Sequence, residues 1–232
     1  MKCYYDLHIH SALSPCADDD MSPISICTVA NLNGLNMIAI ADHNSIANVE
    51  AAIEIGNLLN VTVIPAMELQ TSEDIHVLCL FEEYASLKNF YQEIKFTELK
   101  NEPEIFGRQL VINCDDEIVE EVQQLLLTAA DISLDHIPAL IKKHHGIAIP
   151  AHIDREANGI LAILGTVEKD MGFHILEFSN YAKAELIEKY SDYIRIIDSD
   201  SHKLETISKA VNYLELEECT AAGLLKKLRV ES

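Results

Sequence analysis

Short apolar runs recur along the chain with the two-residue period of strands: "CYYDLHI" (3–9), "NMIAIA" (36–41), "VTVIPAM" (61–67), "IHVLCLF" (75–81), "GIAIPA" (146–151), "FHILEF" (173–178) and "YIRIID" (193–198). Amphipathic stretches beginning at Ser22, Ser45 and Ser133 lie between most of them. The first opens with Ser22-Pro23, a cap followed by proline at the first helical position, and closes at Gly34. The third is bracketed in the same way by Ser133 and Gly146. Strands alternating with helices predict an α/β fold with a largely parallel sheet, either closed as a barrel or open and doubly wound. Residues 82–131 break the alternation. They are polar, with the loop "LKNEPEIFGRQL" and a helical pattern in "DDEIVEEVQQLLLTAAD" from Asp115. They predict a small, mostly helical cap inserted between residues 1–81 and 132–232.

Chemistry-bearing residues fall at one end of nearly every predicted strand. The first run ends in His8 and His10, the second in Asp42 and His43, and the third in Glu68. The fifth ends in His152 and the seventh in Asp200 and His202. His76 opens the fourth run a short turn after Glu68, and a hairpin there brings the two to the same rim. Strand alternation points His8 and His10 the same way, and likewise Asp200 and His202. An isolated H-x-H, or one histidine in an apolar run, is more often structural. Here six of the ten histidines meet at one rim, the end where α/β barrels keep their active sites. His136, His144, His145 and His174 lie in helices or ahead of strands and are read as structural. Mixed imidazole and carboxylate donors suit Mn, Fe or Zn better than Mg or Ca, and so many donors call for more than one ion.

Composition narrows the setting. Seventeen Lys and Arg against 38 Asp and Glu give a net charge of −21, which argues against a general nucleic-acid-binding face. No Lys or Arg occurs between Lys2 and Lys88. Eight glycines and no Gly-rich phosphate loop argue against a nucleotide-cradling motif. Six scattered cysteines without C-x-x-C spacing predict buried thiols in a reducing compartment and no disulfide framework. With neither a signal-peptide pattern nor a run of membrane-spanning length, the expectation is a soluble cytoplasmic protein.

The ordered set "DLHIHS", "IADHNS", "AMELQT", "DIHVLCL", "IPAHID" and "IDSDSH" resembles the polymerase and histidinol phosphatase (PHP) domain family over the whole chain except the expected cap. The resemblance implies a distorted (β/α)7 barrel holding two or three divalent metal ions. It implies one ion on His8, His10, Glu68 and Asp200, with Glu68 bridging to a second on His76 and His152. A third falls to His43, His202 and an aspartate after the first motif. The family often has H-S-x-x-S-D; this chain has Pro15 where that aspartate stands, so Asp18 is the first choice, with Asp19 and Asp20 as alternatives. Asp42 is placed behind the ligands, orienting His43 or a water.

The expected activity is hydrolysis of a phosphate monoester on a small metabolite or nucleotide, by in-line attack of a metal-bridging hydroxide. Arg155, Lys203 and Arg108 are the candidate phosphate cations, with Arg108 more readily explained as a surface charge. Asp42 or His202 is the candidate proton donor to the leaving group. Asn180, after the sixth run, is either a substrate contact or a strand-end hydrogen bond. Two rivals remain: an amidohydrolase-type metal enzyme, disfavoured because Glu68 stands where that class uses a bridging lysine, and a non-catalytic metal-binding module.

Overall fold

The computed structural model describes residues 1–229. Its strands are β1 (Lys2–Ile9), β2 (Met37–Ile40), β3 (Thr62–Gln70), β4 (His76–Leu80), β5 (Leu110–Ile112), β6 (Ile118–Glu121), β7 (Ile147–Pro150), β8 (Ile175–Phe178), β9 (Ile194–Ile197) and β10 (Tyr213–Glu215). The helices are α1 (Pro23–Leu32), α2 (Val49–Leu59), α3 (Tyr84–Glu93), α4 (Pro103–Phe106), α5 (Ile137–Lys143), α6 (Ile160–Leu164), α7 (Ala184–Lys189) and α8 (Ala221–Leu228). All seven strands expected from the alternating runs are present. Among the described residues no helix is long and apolar enough to cross a membrane.

The main sheet runs β10-β1-β2-β3-β4-β7, and β8-β9 form a separate parallel pair. It is a curled half-barrel rather than a regular repeat. β1-β2-β3 are parallel, but β3-β4 and β4-β7 are antiparallel, because β3 returns through a tight turn with no helix. Side chains and single backbone bonds close the gaps that the ladders leave. Asp198 Oδ1 accepts from Leu7 N at 2.6 Å, and Asp6 accepts from Ser199 N and Ser208 N at 3.0 and 2.9 Å. His10 N donates to Ser201 O, and Ile153 N donates to Glu177 O. These bonds tie β9 back to β1, and β8 to the end of β7.

A bulge in β1 sets up the site. Cys3, Tyr5 and Leu7 face the interior core with Met37, Ala39, Ile64 and Leu78, and α8 seals that end with Leu224, Leu225 and Leu228. Tyr4 and Ile9 face the opposite layer, against α1 and α2. Plain alternation would send His8 outward with Tyr4. Between Asp6 and Ile9, however, β1 advances three residues while β2 advances only from Ile38 to Ile40. That extra residue turns His8 and His10 to the inside, a recognised use of a bulge.

Residues 82–131 depart from expectation. Only α3 and the short α4 are helical there; the stretch from Asp115 forms the turn and second strand of the β5-β6 hairpin, then coil. The turn chemistry outweighs the helical period: Asn113 Oδ1 accepts from Asp115 N and Glu117 N, and Asp116 takes φ 64°. The segment is knit to the sheet by buried amides. Asn44 Nδ2 donates to Leu126 O and Thr128 O at 2.8 and 2.9 Å. Asn48 donates to Ser11 Oγ and Leu110 O and accepts from Ile112 N. Asn48 also shortens the helix expected from Ser45, which starts at Val49. The cysteine expectation is corrected as well. Cys3 and Cys219 are joined by a disulfide, Cα atoms 5.6 Å apart, while Cys16, Cys27, Cys79 and Cys114 are free. The two lie 216 residues apart and meet because the C-terminal segment packs beside β1 through β10, a contact that spacing cannot reveal.

Asn48→Ala removes three buried hydrogen bonds, and should lower stability by about 2–4 kcal/mol, given ~1 kcal/mol per bond plus the cost of stranded partners. Urea unfolding would show this as a lower midpoint at unchanged slope. Asn31→Ala, whose single bond to Leu59 O is exposed, is the matched control and should change little.

Candidate metal centre

Glu68, 1% exposed, is the hub of the rim. Its Oε1 lies 3.3 Å from His8 Nε2, 2.9 Å from His76 Nδ1 and 3.0 Å from His152 Nε2. Its Oε2 lies 2.8 Å from His43 Nδ1 and 3.5 Å from His10 Nε2. The β3-β4 hairpin delivers His76 from one step along the register, where Gln70 faces His76 and Glu68 faces Leu78. Asp200 enters from beyond β9, with Oδ1 3.0 Å from His10 Nε2 and 3.6 Å from His8 Nε2. His202 stacks on His10 with ring centres 4.2 Å apart. Two site residues hold unusual backbone: His152 at φ 29° and Asp200 at φ 50°. Non-glycine residues take such angles when the surroundings impose them, and they cluster at functional sites.

The donors form three overlapping groups whose ligand atoms lie within 4.8 Å of one another: His8, His10 and Asp200; His43, Glu68 and His76; His10, His43 and His202. This partition shares His10 and His43 between groups, unlike the one the family resemblance implies. Protein atoms alone do not satisfy the cluster. Glu68 Oε2, both Asp200 carboxylate oxygens, His43 Nδ1 and His152 Nδ1 are buried and make no hydrogen bond of good geometry, although His43 Nδ1 stands 2.8 Å from Glu68 Oε2 and Arg155 Nη1 2.5 Å from Asp200 Oδ2. Such orphans are rare, and an ion is one of their standard explanations.

Protonation favours ligand lone pairs at several of these positions. Burial would raise the Glu68 carboxyl, but His76, His8 and His43 outweigh it and hold Glu68 well below the usual carboxylate range. Asp200 is likewise held low, by His8 and His10 against burial. Burial, with His202 and His43 nearby, keeps His10 well below its ordinary value, and burial lowers His76 despite Glu68. His8 and His43 go the other way: burial opposes their protonation, but Glu177 and Glu68 respectively outweigh it, His43 reaching about 10. Divalent cations fit this donor set, because a bound ion takes the place of those protons.

A second layer aims the ligands. Both oxygens of Glu177 lie 3.0 Å from His8 Nδ1, so Nδ1–H points at the carboxylate and Nε2 is left for the centre. Glu177 Oε2 also accepts from His152 N. Ser14 Oγ accepts from His10 Nδ1 at 2.9 Å and donates to Asp42 Oδ1 at 2.7 Å, fixing His10 in the same tautomer. Asp42 is fully buried, and Ser11 N, Ser11 Oγ and Ser14 Oγ occupy its oxygens. Asp42 therefore positions His10 through Ser14. It makes no hydrogen bond to the His43 ring, and its three bonds hold it in the Ser11–Ser14 turn behind the ligands.

The remaining expected residues divide. Arg155, its side chain 45% exposed, reaches the cluster, with Nη1 2.5 Å from Asp200 Oδ2. Asp18 does not reach it: its carboxylate is half-exposed and faces Lys203 Nζ at 3.5 Å. Asp19 pairs with Arg108, which also pairs with Glu121 on β6, so Arg108 braces the hairpin. Asn180 is exposed beyond β8. Cys16 is exposed on the same turn, and its thiol feels His202 and His43. Burial would raise that thiol, but those two imidazoles bring it down to about 7. The sequence reading misses Glu177 and Ser14. A glutamate inside the apolar strand "FHILEF" is the available signal for Glu177.

A comparison with curated proteins found no match. Solved structures do match. The lesion-specific endonuclease Endonuclease Q of Pyrococcus furiosus superposes with a TM-score of 0.74 at 17% identity, covering 98% of this chain and 56% of that one. This chain thus spans little more than half that enzyme's length. A protein of Bifidobacterium adolescentis assigned as a metal-dependent phosphoesterase gives 0.61 at 17% identity, covering 97% and 94%. An amidohydrolase of Chromobacterium violaceum, solved with sulfate and no metal, gives 0.62 at 15%, covering 97% and 96%. At these identities the likeness shows a shared fold. In sequence, the PHP domain profile matches residues 6–205, so the chain belongs to the PHP domain family.

Proposed function

We propose that the chain is a metal-dependent phosphoesterase whose substrate is a small phosphate monoester. The carrying observation is Glu68: a buried carboxylate with imidazoles converging on each of its oxygens. His8, His10, His43, Glu68, His76, His152, Asp200 and His202 would hold two or three ions. Bound there, such ions supply Lewis-acid charge for a phosphoryl oxygen and make hydroxide available near neutral pH. The chain's own residues do the rest. Glu177 and the Ser14–Asp42 relay hold His8 and His10 with Nε2 inward. The Arg155 guanidinium, at the rim and already on a carboxylate, can grip two phosphate oxygens in the same planar fork. His202, a quarter exposed and at the outer edge, is the best-placed group to hand a proton to a departing alkoxide.

A nucleic-acid phosphodiester is the second reading, favoured by the endonuclease that shares this fold over 98% of the chain. The net charge of −21 opposes it, since a polyanion would meet long-range repulsion. A screen of metal-stripped protein with Mn, Zn, Fe or Mg restored separates the readings. Its arms are phosphorylated metabolites, 3′,5′-bisphosphorylated nucleotides, amides, and a duplex oligonucleotide with an abasic site. Turnover confined to the duplex replaces the monoesterase reading with the second one, and turnover of amides alone removes both.

Glu68→Gln should lose most bound metal by elemental analysis and all measurable turnover, with the circular dichroism spectrum retained; a variant that keeps both would remove Glu68 as the bridge. Glu177→Gln should weaken metal binding by roughly 10–100-fold in chelator competition, the usual consequence of losing a carboxylate behind a ligating histidine. Arg155→Ala should keep its metal yet lower kcat/KM on the best substrate by about ten-fold or more, from ~1.5–3 kcal/mol for a charge-assisted bond. Arg155→Lys should recover only part of that loss. Wild-type kinetics for Arg155→Ala would move the phosphate grip to Lys203.

A further inference from the structure

We propose that a cleft at the far end of β7 and β8, opposite the metal centre, binds a small amphipathic carboxylate, with its apolar body on the floor and its charge on Arg229 and Lys142. Among the described residues β7 and β8 form no ladder with each other. At the metal-centre end they are joined by Ile153 N to Glu177 O and by His152 N to Glu177 Oε2. At the other end Gly146, Ile147 and Ala148 on one side and His174 and Ile175 on the other line a cleft of about 760 Å³. That size is within the range of small-molecule sites. No residue of the metal centre lines it.

The lining divides into an apolar floor and a cationic rim. Ile141, Ile147, Ile175 and Leu228 are buried side chains that form the floor. Lys142, His145, His174 and Arg229 are exposed around the mouth. None of the described lining residues is acidic, in a chain with 38 Asp and Glu against 17 Lys and Arg. An anion repelled by the overall charge therefore meets local positive potential here. The rim is held in place. His145 N donates to Lys142 O and Gly146 N to Ile141 O, closing the end of α5. A Cβ on Gly146 would lie 2.5 Å from the Phe81 ring, so the turn fits there only with glycine. Arg229 Nη2, from the end of α8, donates to His145 O at 2.6 Å. That bond uses one of five N–H donors and leaves the guanidinium able to take a carboxylate. The adjacent Lys143 and His144 already have one, Glu93. A bare anion would leave the apolar floor wet, and a neutral apolar molecule would leave the cations unused. A carboxylate on an apolar body satisfies both.

Titration calorimetry of the metal-free full chain with decanoate tests the site without any contribution from bound metal. Decanoate should bind with a negative heat-capacity change, the mark of buried apolar surface. Decanol lacks the charge, and acetate and inorganic phosphate lack the apolar body, so each should bind about ten-fold more weakly or worse. Arg229→Gln should weaken decanoate by about ten-fold or more, the loss of a charge-assisted bond. Ala139→Trp, on the exposed α5 side of the mouth, should block it. Glu68→Gln should bind decanoate as wild type does, because the cleft is separate from the centre. The proposal is overturned if decanoate does not bind, if decanol matches it, or if Arg229→Gln and Ala139→Trp both keep wild-type affinity. A dimer in sedimentation that Ala139→Trp breaks would make a second copy the occupant and overturn it too. So would binding that appears only once residues 230–232 are removed, which would make the chain's own end the occupant.

Discussion

A carboxylate cannot be buried beside five imidazoles without deciding who carries the protons, and Glu68 is buried in that way. Removing its charge from water costs several kcal/mol, and attraction to its neighbours repays that cost only if the geometry is good. Here β3 fixes the carboxylate on a central strand, and the imidazoles arrive from β1, the end of β2, β4 and the end of β7. The surrounding sheet has to curl for strands that are not neighbours to meet at one point. The bulge in β1, the antiparallel return of β4 and the carboxylate-closed seam between β9 and β1 all serve that convergence.

Around this hub the chain specifies orientation as well as proximity. Glu177 and Ser14 each occupy the Nδ1 side of a histidine, so His8 and His10 both present Nε2 inward, 3.2 Å apart. Two imidazole nitrogens facing each other at that distance gain more from a shared cation than from each other. Asp42 belongs to the same layer. Its three hydrogen bonds leave it no direct part at the centre, but they lock the Ser11–Ser14 turn from which the Cys16 loop departs. Position and chemistry are therefore coupled from Asp42 through Ser14 to His10.

Much of this was legible in the sequence because strand ends are local. His8, His10, His43, Glu68, His76, His152, Asp200 and His202 each sit at the edge of an apolar run, and the runs predicted all seven strands that surround the centre. What the sequence hid was set by contacts between distant residues. Glu177 lies mid-strand and is tied to His8, 169 positions away, a pairing that no periodicity announces. Asp18 looked like the missing ligand because charge was counted and direction was not; its carboxylate faces Lys203. The helical reading of residues after Asp115 failed for a similar reason. Its apolar spacing fits a helix, but Asn113 and the left-handed Asp116 commit the segment to a hairpin.

The charge of the chain bears on which substrates can reach the centre. At −21, with Asp18, Asp19 and Asp20 exposed near the mouth, an approaching anion is repelled until it is within reach of local positive charge. Screening reduces that repulsion beyond about 8–10 Å at ordinary ionic strength, so the last few ångströms decide binding. Near the mouth, Lys203 is engaged by Asp18 and Arg108 by Asp19 and Glu121, which leaves Arg155 as the cation in contact with the cluster itself. Its partner is Asp200, whose other oxygen lies against His10. A phosphate that draws the guanidinium toward itself would free Asp200 Oδ2 to turn to the centre. Arg155 would then couple anion capture to completion of the ligand set, and the proposed compact monoester, with its whole charge at one point, would exploit that coupling.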